Sequence, residues 1–263
     1  MGTALRVLAV GLALAACAGS TSVDVRHDRP PGTLTVATTA RGTTTTSAEA
    51  ATAPPSTAPA PDTSTTTTRP QRTRCRALAH IGDSITVAMT GAALPPDARL
   101  DAQYSRVGVS DPLIDASGAR SIVETLPGQV SAYDAAIALR DAGFVGCWVI
   151  QVGTNDAANI AAGSRVDQAT RIDRMMSVVG SDPVLWVDAI SLVRSGDYAR
   201  TNMQRWDDAL ADARRRYPAL QVFAWSTEAR DEWFLPDGVH YTAEGYTVLA
   251  RSVADALVAA LPA

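Results

Sequence analysis

Apolar runs of strand length alternate with stretches of helix length through the second part of the chain. The apolar runs are ALAHIG from Ala77, CWVIQVG from Cys147, PVLWVDAI from Pro183 and LQVFAWS from Leu220. The helical stretches are GQVSAYDAAIALRDAG from Gly128, RVDQATRIDRMMSVVG from Arg165, NMQRWDDALADARRRY from Asn202 and AEGYTVLARSVADALVAAL from Ala243. Near-continuous apolar strands that alternate with helices predict an α/β domain with a parallel sheet covered on both faces.

One further strand is expected between Leu100 and Ser117, either near Tyr104 or in the segment PLIDAS, and the pattern leaves both positions open. Parallel sheets of this kind carry their chemistry at the carboxyl ends of the strands. Polar segments stand at those points: GDS after the first run, GTND after the second, and DGVHYTAEGY before the last helix. We therefore expect these three segments to meet at one edge of the sheet.

The amino-terminal residues differ in character from this domain. Residues 1–17 combine an early Arg6, an apolar core and small residues before Cys17, which is typical of a secretory signal peptide that is too short to span a membrane. The segment Leu-Ala-Ala-Cys resembles the bacterial lipobox, so Cys17 is the predicted lipidation site and the protein is expected to be anchored to the outer face of the cell membrane. A plain cleaved signal peptide is the alternative.

Residues 18–74 are rich in Thr, Ala, Pro and Ser, with two runs of four threonines. Such a composition buries too little apolar surface to fold, so this segment is predicted to be a disordered tether. Residues 75–263 suit a single domain, here expected to be a monomer. That domain carries 16 Arg and no Lys against 23 Asp and Glu, so a nucleic-acid partner is not expected.

Ser84 is the candidate nucleophile, because it stands where a parallel sheet opens its binding crevice. A turn followed by a helix N-cap is the structural alternative for the same three residues. Of the three histidines, His27 lies in the tether and His80 lies inside the first strand, where packing explains it better. His240 is therefore the candidate base, and Asp237, three residues earlier, is placed to orient its imidazole.

Attack of a serine on an ester creates an oxyanion that needs hydrogen-bond donors already in place. The backbone N–H of Ser84, at the start of a helix, is one candidate donor. The side-chain amide of Asn155 in GTND is a second, and the backbone N–H of Gly118 in DASGARS is a third, since glycine allows close approach to a ligand. No cluster of His or Cys has the spacing of metal ligands, so neither a metal nor an organic cofactor is expected.

The segments GDS, DASGARS, GTND and DGVH, in this order along the chain, resemble the motifs of the SGNH, or GDSL, hydrolases. That family carries a Gly-Asp-Ser block, a glycine block, a Gly-x-Asn-Asp block and an Asp-x-x-His block, which match Ser84, Gly118, Asn155, and Asp237 with His240. The resemblance covers nearly all of residues 75–263 and implies a flavodoxin-like three-layer α/β/α sandwich. It also implies a serine esterase that works through an acyl-enzyme, with Ala119 as a departure from the expected Gly-Arg pair.

Within the family, the segments from Asn202 to Trp225 and from Glu232 to Tyr246 resemble SGNH domains related to peptidoglycan O-acetyltransferases. The sequence thus predicts an extracytoplasmic esterase for O-acetyl or short-chain esters of small molecules or glycans. An O-acyltransferase that acts on cell-wall glycan with the same triad is the first alternative, and a non-catalytic wall-binding module is the second. Trp225 and Trp233 either wall the crevice or pack in the core.

The resemblance also bears on the cysteines. The strands that follow Cys75 and Cys147 are neighbours in the family's sheet, and neighbouring strands lie within reach of disulfide geometry. Strict pairing in register would turn the two side chains to opposite faces, so Cys75 is expected to precede the regular strand. The sequence therefore predicts a Cys75–Cys147 disulfide, with two free buried thiols as the alternative.

Overall fold

The computed structural model describes residues 71–263, which form an α/β domain around one parallel sheet. The signal peptide, Cys17, His27 and all but the last four residues of the predicted tether lie outside the described residues. The sheet has five strands in the order β2-β1-β3-β4-β5: β1 Ala77–Gly82, β2 Asp111–Ala116, β3 Cys147–Gln151, β4 Val184–Val187 and β5 Leu220–Phe223. All four pairings are parallel.

Within residues 71–263, seven α-helices connect and flank the strands. They are α1 Ser84–Thr90, α2 Leu100–Arg106, α3 Ala132–Asp141, α4 Thr154–Ala161, α5 Gln168–Val179, α6 Arg200–Arg216 and α7 Ala243–Ala260. The four helices predicted from hydrophobic spacing are present, each within a few residues of the expected ends. The further strand, whose position the sequence left undecided, is β2 in the segment PLIDAS, while Tyr104 lies in α2.

Alternate residues of the strands pack into two separate cores. Leu78, Val149 and Leu185 face one core, which α1, α2 and α7 complete. Ala79, Trp148, Ile150 and Trp186 face the other, with α3, α5 and α6. Because the strands are apolar on both faces, the sheet is buried between two helical layers. The domain is thus a three-layer α/β/α sandwich with a flavodoxin-like strand order, as predicted.

The connection order reverses between β1 and β3. From β1 the chain crosses to β2 at one edge, and from β3 it proceeds to β4 and β5 at the other. Such a reversal leaves a crevice at the carboxyl ends of the two central strands, where ligands bind in open α/β sheets. The residues that follow β1 and β3 are the Gly-Asp-Ser and Gly-Thr-Asn-Asp segments.

His80 belongs to a buried, hydrogen-bonded row of polar side chains that links α2, β1, α1 and β3. Its Nδ1 lies 2.6 Å from the Tyr104 hydroxyl and its Nε2 lies 3.0 Å from Thr86 Oγ1. The Thr86 hydroxyl donates to Gln151 Oε1, so it accepts from His80 and the imidazole carries its hydrogen on Nε2. Burial lowers the pKa of His80 to about 3. His80 is therefore a packed strand residue, as expected.

The predicted disulfide between Cys75 and Cys147 is present at the amino end of the sheet. Cys147 pairs in register with Leu78, so Cys75 lies ahead of the strand, where the chain bends. Thr73 is also buried and forms an isolated antiparallel bridge with Pro262. Packing thus extends at least two residues ahead of Cys75, the predicted start of the domain. No helix within residues 71–263 is long and apolar enough to cross a membrane.

Candidate active site

Ser84 is the first residue of α1, directly beyond the carboxyl end of β1. Asp83 caps the helix by accepting the Ile85 N–H at 2.9 Å. A Cβ on Gly82 would lie 1.9 Å from Thr86 Oγ1, so only glycine lets the strand pass this closely beneath the first turn of α1. The Gly-Asp-Ser segment therefore combines a close backbone approach, a helix cap and a partly buried serine that lines a pocket.

His240 connects Ser84 to Asp237. The Nε2 atom of His240 lies 3.0 Å from Ser84 Oγ, and its Nδ1 lies 2.8 Å from Asp237 Oδ2. Because a carboxylate only accepts, Nδ1 carries the hydrogen and Nε2 is left with a lone pair that faces the serine hydroxyl. This is the arrangement of a serine nucleophile, a base and an orienting acid.

Asp237 is held in its ionised form by the turn it belongs to. Its Oδ1 accepts the N–H groups of Val239 and His240, each at 2.9 Å. Partial burial alone would raise the pKa of Asp237, but these two donors and the imidazole outweigh burial and lower that pKa. The Leu192 N–H donates to the Gly238 carbonyl at 2.7 Å and ties this turn to the loop that follows β4.

Asn155 lies in the first turn of α4, beyond the carboxyl end of β3. Its Nδ2 donates to the Arg120 carbonyl at 3.2 Å and to Asp83 Oδ2 at 3.4 Å. Asp83 is buried, and that burial raises its pKa to about 7. Gly153, which precedes the helix, has φ +148°, and a Cβ there would lie 2.3 Å from Trp206 Nε1. The sharp turn that places Asn155 beside Ser84 therefore requires glycine.

The segment after β2 differs in detail from the sequence-based assignment. Ala119, and not Gly118, is among the residues that line the pocket at Ser84. Ala119 has φ +55°, and it is the one non-glycine residue within 71–263 with a positive φ. A left-handed alanine costs about 1–2 kcal/mol, so this backbone is held by its surroundings. Ala119, one residue beyond the predicted Gly118, thus lines the pocket in a backbone conformation that its surroundings impose.

Comparison with known proteins agrees with this architecture. No family model and no curated protein sequence matches the chain. Among solved structures, a carbohydrate acetylesterase family member from Sinorhizobium meliloti is 16% identical with a TM-score of 0.56, and the match covers 69% of this chain and 97% of that one. A lipase/acylhydrolase from Enterococcus faecalis is 18% identical with a TM-score of 0.56, covering 71% and 97%.

A third structure of the same fold is the C-terminal catalytic domain of the Streptococcus pneumoniae peptidoglycan O-acetyltransferase A, solved with a methylsulfonyl adduct. It is 15% identical with a TM-score of 0.52, and the match covers 70% of this chain and 91% of that one. The chain has the SGNH/GDSL hydrolase fold. Esterases, a lipase and an acyltransferase domain are thus its structural neighbours.

In this SGNH-fold domain a pocket of about 510 Å³ opens at Ser84. One wall comes from the loop between β4 and α6, which the sequence analysis did not single out. The pocket is lined by Ser84, Ala119, Thr154, Asn155, Val193, Ser195, Asp197, Tyr198, Asp237, Val239 and His240. These loop residues follow the carboxyl end of β4. Their position after a strand end, which also marks Ser84 and Asn155, is the sequence signal that could have identified them.

Trp225 and Trp233 do not wall the pocket. Their rings stack on each other with centroids 5.7 Å apart, and both side chains are buried. The Trp225 indole donates to the Tyr241 hydroxyl at 2.8 Å, inside an aromatic cluster under α7. Core packing is therefore their role, which was one of the two readings that the sequence left open.

A buried ion-pair network lies next to Asn155 in this SGNH-fold domain. Arg171 is fully buried, and it donates to Asp156 Oδ1 at 2.8 Å and to both carboxylate oxygens of Glu124. Asp156 also accepts the Ile122 N–H at 2.9 Å. Burial raises the pKa of Asp156 to about 6 even though Arg171 and this N–H favour its charge. The network ties the segment that follows Ala119 to the helix that carries Asn155.

Proposed function

We propose that this protein is an extracytoplasmic serine esterase that hydrolyses O-acetyl or other short-chain acyl esters. The observation that carries the proposal is the hydrogen-bonded chain from Ser84 Oγ through His240 to Asp237, at 3.0 and 2.8 Å. The three side chains line a pocket at the switch point of the sheet. A binding module needs no such row of hydrogen bonds, so this geometry speaks against a non-catalytic role.

In the proposed reaction, Ser84 Oγ attacks the acyl carbon while its proton passes to His240 Nε2. The tetrahedral intermediate then collapses, the ester bond breaks, and the leaving alcohol takes the proton from His240. Water repeats the sequence on the acyl-enzyme: it gives a proton to His240, attacks the acyl carbon, and the carboxylic acid leaves as Ser84 regains its proton. Asp237 holds the imidazole in the required tautomer throughout.

Three groups are proposed to hold the oxyanion. The Ser84 N–H lies at the amino end of α1, where the helix dipole favours negative charge. The Asn155 amide is the side-chain donor, and the main-chain N–H at Ala119 takes the role first assigned to Gly118. Both Asn155 hydrogens face protein acceptors, and the contact with Asp83 is the longer, at 3.4 Å against 3.2 Å to Arg120. We expect the contact with Asp83 to be the one exchanged for the oxyanion.

The location is proposed from the chain's amino terminus and its cysteines. The signal-peptide pattern and the lipobox at Cys17 support anchoring to the outer face of the cell membrane through lipid. The Cys75–Cys147 disulfide supports the same side of the membrane, because disulfides persist in oxidising compartments. The bridge lies at the amino end of the sheet, so a tether that leaves from there keeps the opposite, active-site edge accessible.

An O-acyltransferase is the second candidate, and one observation favours it. The catalytic domain of the pneumococcal peptidoglycan O-acetyltransferase A shares this fold with a TM-score of 0.52. With the same triad, a sugar hydroxyl would replace water in the second half of the reaction. The acceptor alone therefore separates the two candidates.

The test uses a panel of aryl esters from acetyl to long-chain acyl, together with acetylated glycans. Wild-type protein should cleave the short-chain members and bind one equivalent of a fluorophosphonate at Ser84, whereas Ser84→Ala should do neither and keep its fold. Ser105→Ala, which removes a hydroxyl from the surface of α2, is the matched control. Substantial turnover by Ser84→Ala would refute the mechanism.

Product analysis with an acyl donor and cell-wall glycan fragments then distinguishes esterase from transferase. Release of free acid at a rate that does not depend on the glycan supports the esterase. Transfer to sugar that outpaces hydrolysis would replace the esterase with the second candidate.

A further inference from the structure

Tyr198 lines the same pocket as Ser84 and lies on the loop between β4 and α6. Its hydroxyl donates to Asn155 Oδ1 at 2.9 Å. The loop that presents it is firmly held: Ser191 donates to the Tyr198 carbonyl, and the Arg200 N–H donates to the Val193 carbonyl at 2.8 Å. Hydrogen bonds therefore hold both the main chain at Tyr198 and the hydroxyl at the end of its ring.

The Asn155 amide has one possible orientation in these surroundings. Its nitrogen faces two acceptors, the Asp83 carboxyl and the Arg120 carbonyl, and its oxygen faces the donor on Tyr198. Rotation of the amide by half a turn would set its oxygen against both acceptors. Within residues 71–263, Tyr198 is the one side chain that donates to this oxygen.

We propose that Tyr198 is a positioning residue for the reaction, which holds Asn155 as an oxyanion donor and strengthens its N–H groups. A hydrogen bond to an amide oxygen polarises the amide and makes its N–H a better donor, because linked hydrogen bonds reinforce one another. The inference rests on the proposed esterase or acyltransferase function. It adds a side chain from a fourth strand end, after β4, to a site otherwise built from the ends of β1, β2 and β3 and the turn before α7.

The chemistry of the hydroxyl suits this role over the working pH range. Burial, together with the charges of Asp83 and Asp197, raises the pKa of Tyr198. The phenol therefore stays protonated where an esterase with a histidine base is active, and it remains a donor to Asn155. Its partly exposed ring contributes in addition to the apolar wall beside the nucleophile.

The test is Tyr198→Phe, which removes the hydroxyl and leaves the ring that lines the pocket. We expect kcat on a short-chain aryl ester to fall about tenfold with KM changed less than twofold, short of the ~10²–10³-fold cost of losing an oxyanion donor itself. Tyr217→Phe is the matched control, since its hydroxyl donates to Asp173 at 2.9 Å and Tyr217 does not line the pocket. That control should retain wild-type kcat.

A double-mutant cycle with Asn155→Ala assigns the effect to the proposed contact. The tenfold loss should disappear when Tyr198→Phe is introduced into Asn155→Ala. The rate of Ser84 labelling by a fluorophosphonate serves as the readout wherever turnover is too slow, and circular dichroism melting verifies that each variant is folded.

Three outcomes overturn the inference: an unchanged kcat for Tyr198→Phe, an equal loss in both backgrounds, or a change confined to KM, which would mean direct contact with the substrate. If the wild-type protein is active, any of these three outcomes rejects the role of Tyr198 and leaves the proposed function intact. A wild type that cleaves no ester, transfers no acyl group and resists labelling at Ser84 would instead remove the proposed function itself.

Discussion

His240 Nε2 lies 3.0 Å from Ser84 Oγ although 156 residues separate the two along the chain. The contact forms because Ser84 begins the helix after β1 while His240 precedes α7, and both positions face the carboxyl edge of the same sheet. Asp237 and His240 lie three residues apart in the same turn, so local structure places the acid beside the base. Only the tertiary fold places Ser84 beside them.

Substitutions in the triad should rank in a definite order. His240→Ala should reduce kcat about as much as Ser84→Ala, because no base remains. Asp237→Asn should be about 100-fold less severe, since the base survives but loses its orientation and the carboxylate that stabilises its charged form. Steady-state kinetics on a short-chain aryl ester measures both, with melting curves as the check on folding. An Asp237→Asn variant that was worse than His240→Ala would reverse the roles assigned here.

Arg171→Met should lower both stability and activity. It leaves Asp156 buried without its counter-ion, which costs about 3–5 kcal/mol, and it frees the segment beyond Ala119 from α4. We expect kcat per folded molecule to fall by about tenfold through the less organised oxyanion site. Urea unfolding and kinetics at saturating substrate measure the two effects.

Arg140→Met is the control for that experiment. Arg140 also bonds to main-chain carbonyls and to an aspartate, but it lies at the carboxyl end of α3, away from the pocket. It should lose stability and keep its kcat. Should Arg171→Met itself fail to fold, Glu124→Gln weakens the same network more gently. Wild-type kcat in that folded variant would contradict a positioning role for the network.

The stability of the domain should depend on pH through His80. Its pKa in the folded state is about 3, against 6.5 for the ordinary side chain, so the unfolded state binds the proton more readily between these values. The contribution of neutral His80 is therefore fully present above about pH 6.5 and is lost as the pH falls toward 3, by about 1.4 kcal/mol per pH unit.

Comparison with His80→Gln isolates this contribution, because the buried carboxyls titrate in both proteins. The wild type should be the more stable protein at pH 8, and the difference in unfolding free energy should shrink as the pH is lowered. Chemical denaturation at a series of pH values measures it. A difference that stayed constant from pH 8 to pH 4 would exclude His80 as the source.

Loss of the disulfide should destabilise the domain without altering its chemistry. The bridge joins residues 72 positions apart, and opening such a loop costs about 4 kcal/mol in the chain-entropy model. A Cys75→Ser/Cys147→Ser variant should therefore melt at a lower temperature and retain its kcat below the transition, because the bridge lies at the edge of the sheet opposite Ser84. Thiol labelling of the denatured, unreduced protein should leave both cysteines unmodified, and labelling of both would disprove the bridge.

The strands could be predicted because a strand that is buried on both faces consists almost entirely of apolar residues. The main helices could be predicted from the helix-length stretches between these strands. Two helices were not anticipated. The short α2 carries few apolar positions, and α4 begins inside the Gly-Thr-Asn-Asp segment, where turn residues hide the helix start. Sequence pattern predicts secondary structure least well near a functional site, because residues there are selected for chemistry as well as for packing.

The sequence by itself determined the fold class, and strand-end position with residue type singled out Ser84, Asn155, Asp237 and His240 as candidates. The disulfide pair followed from the resemblance to SGNH hydrolases, which makes the two strands neighbours. Only the tertiary structure showed that Ala119, with a positive φ, lines the pocket, since φ depends on how a segment is held at both ends. It alone brought Tyr198 into contact with Asn155 and Arg171 into contact with Asp156. Their partners are far away in sequence, and a hydrogen bond between distant residues exists only once packing has brought its donor and acceptor together.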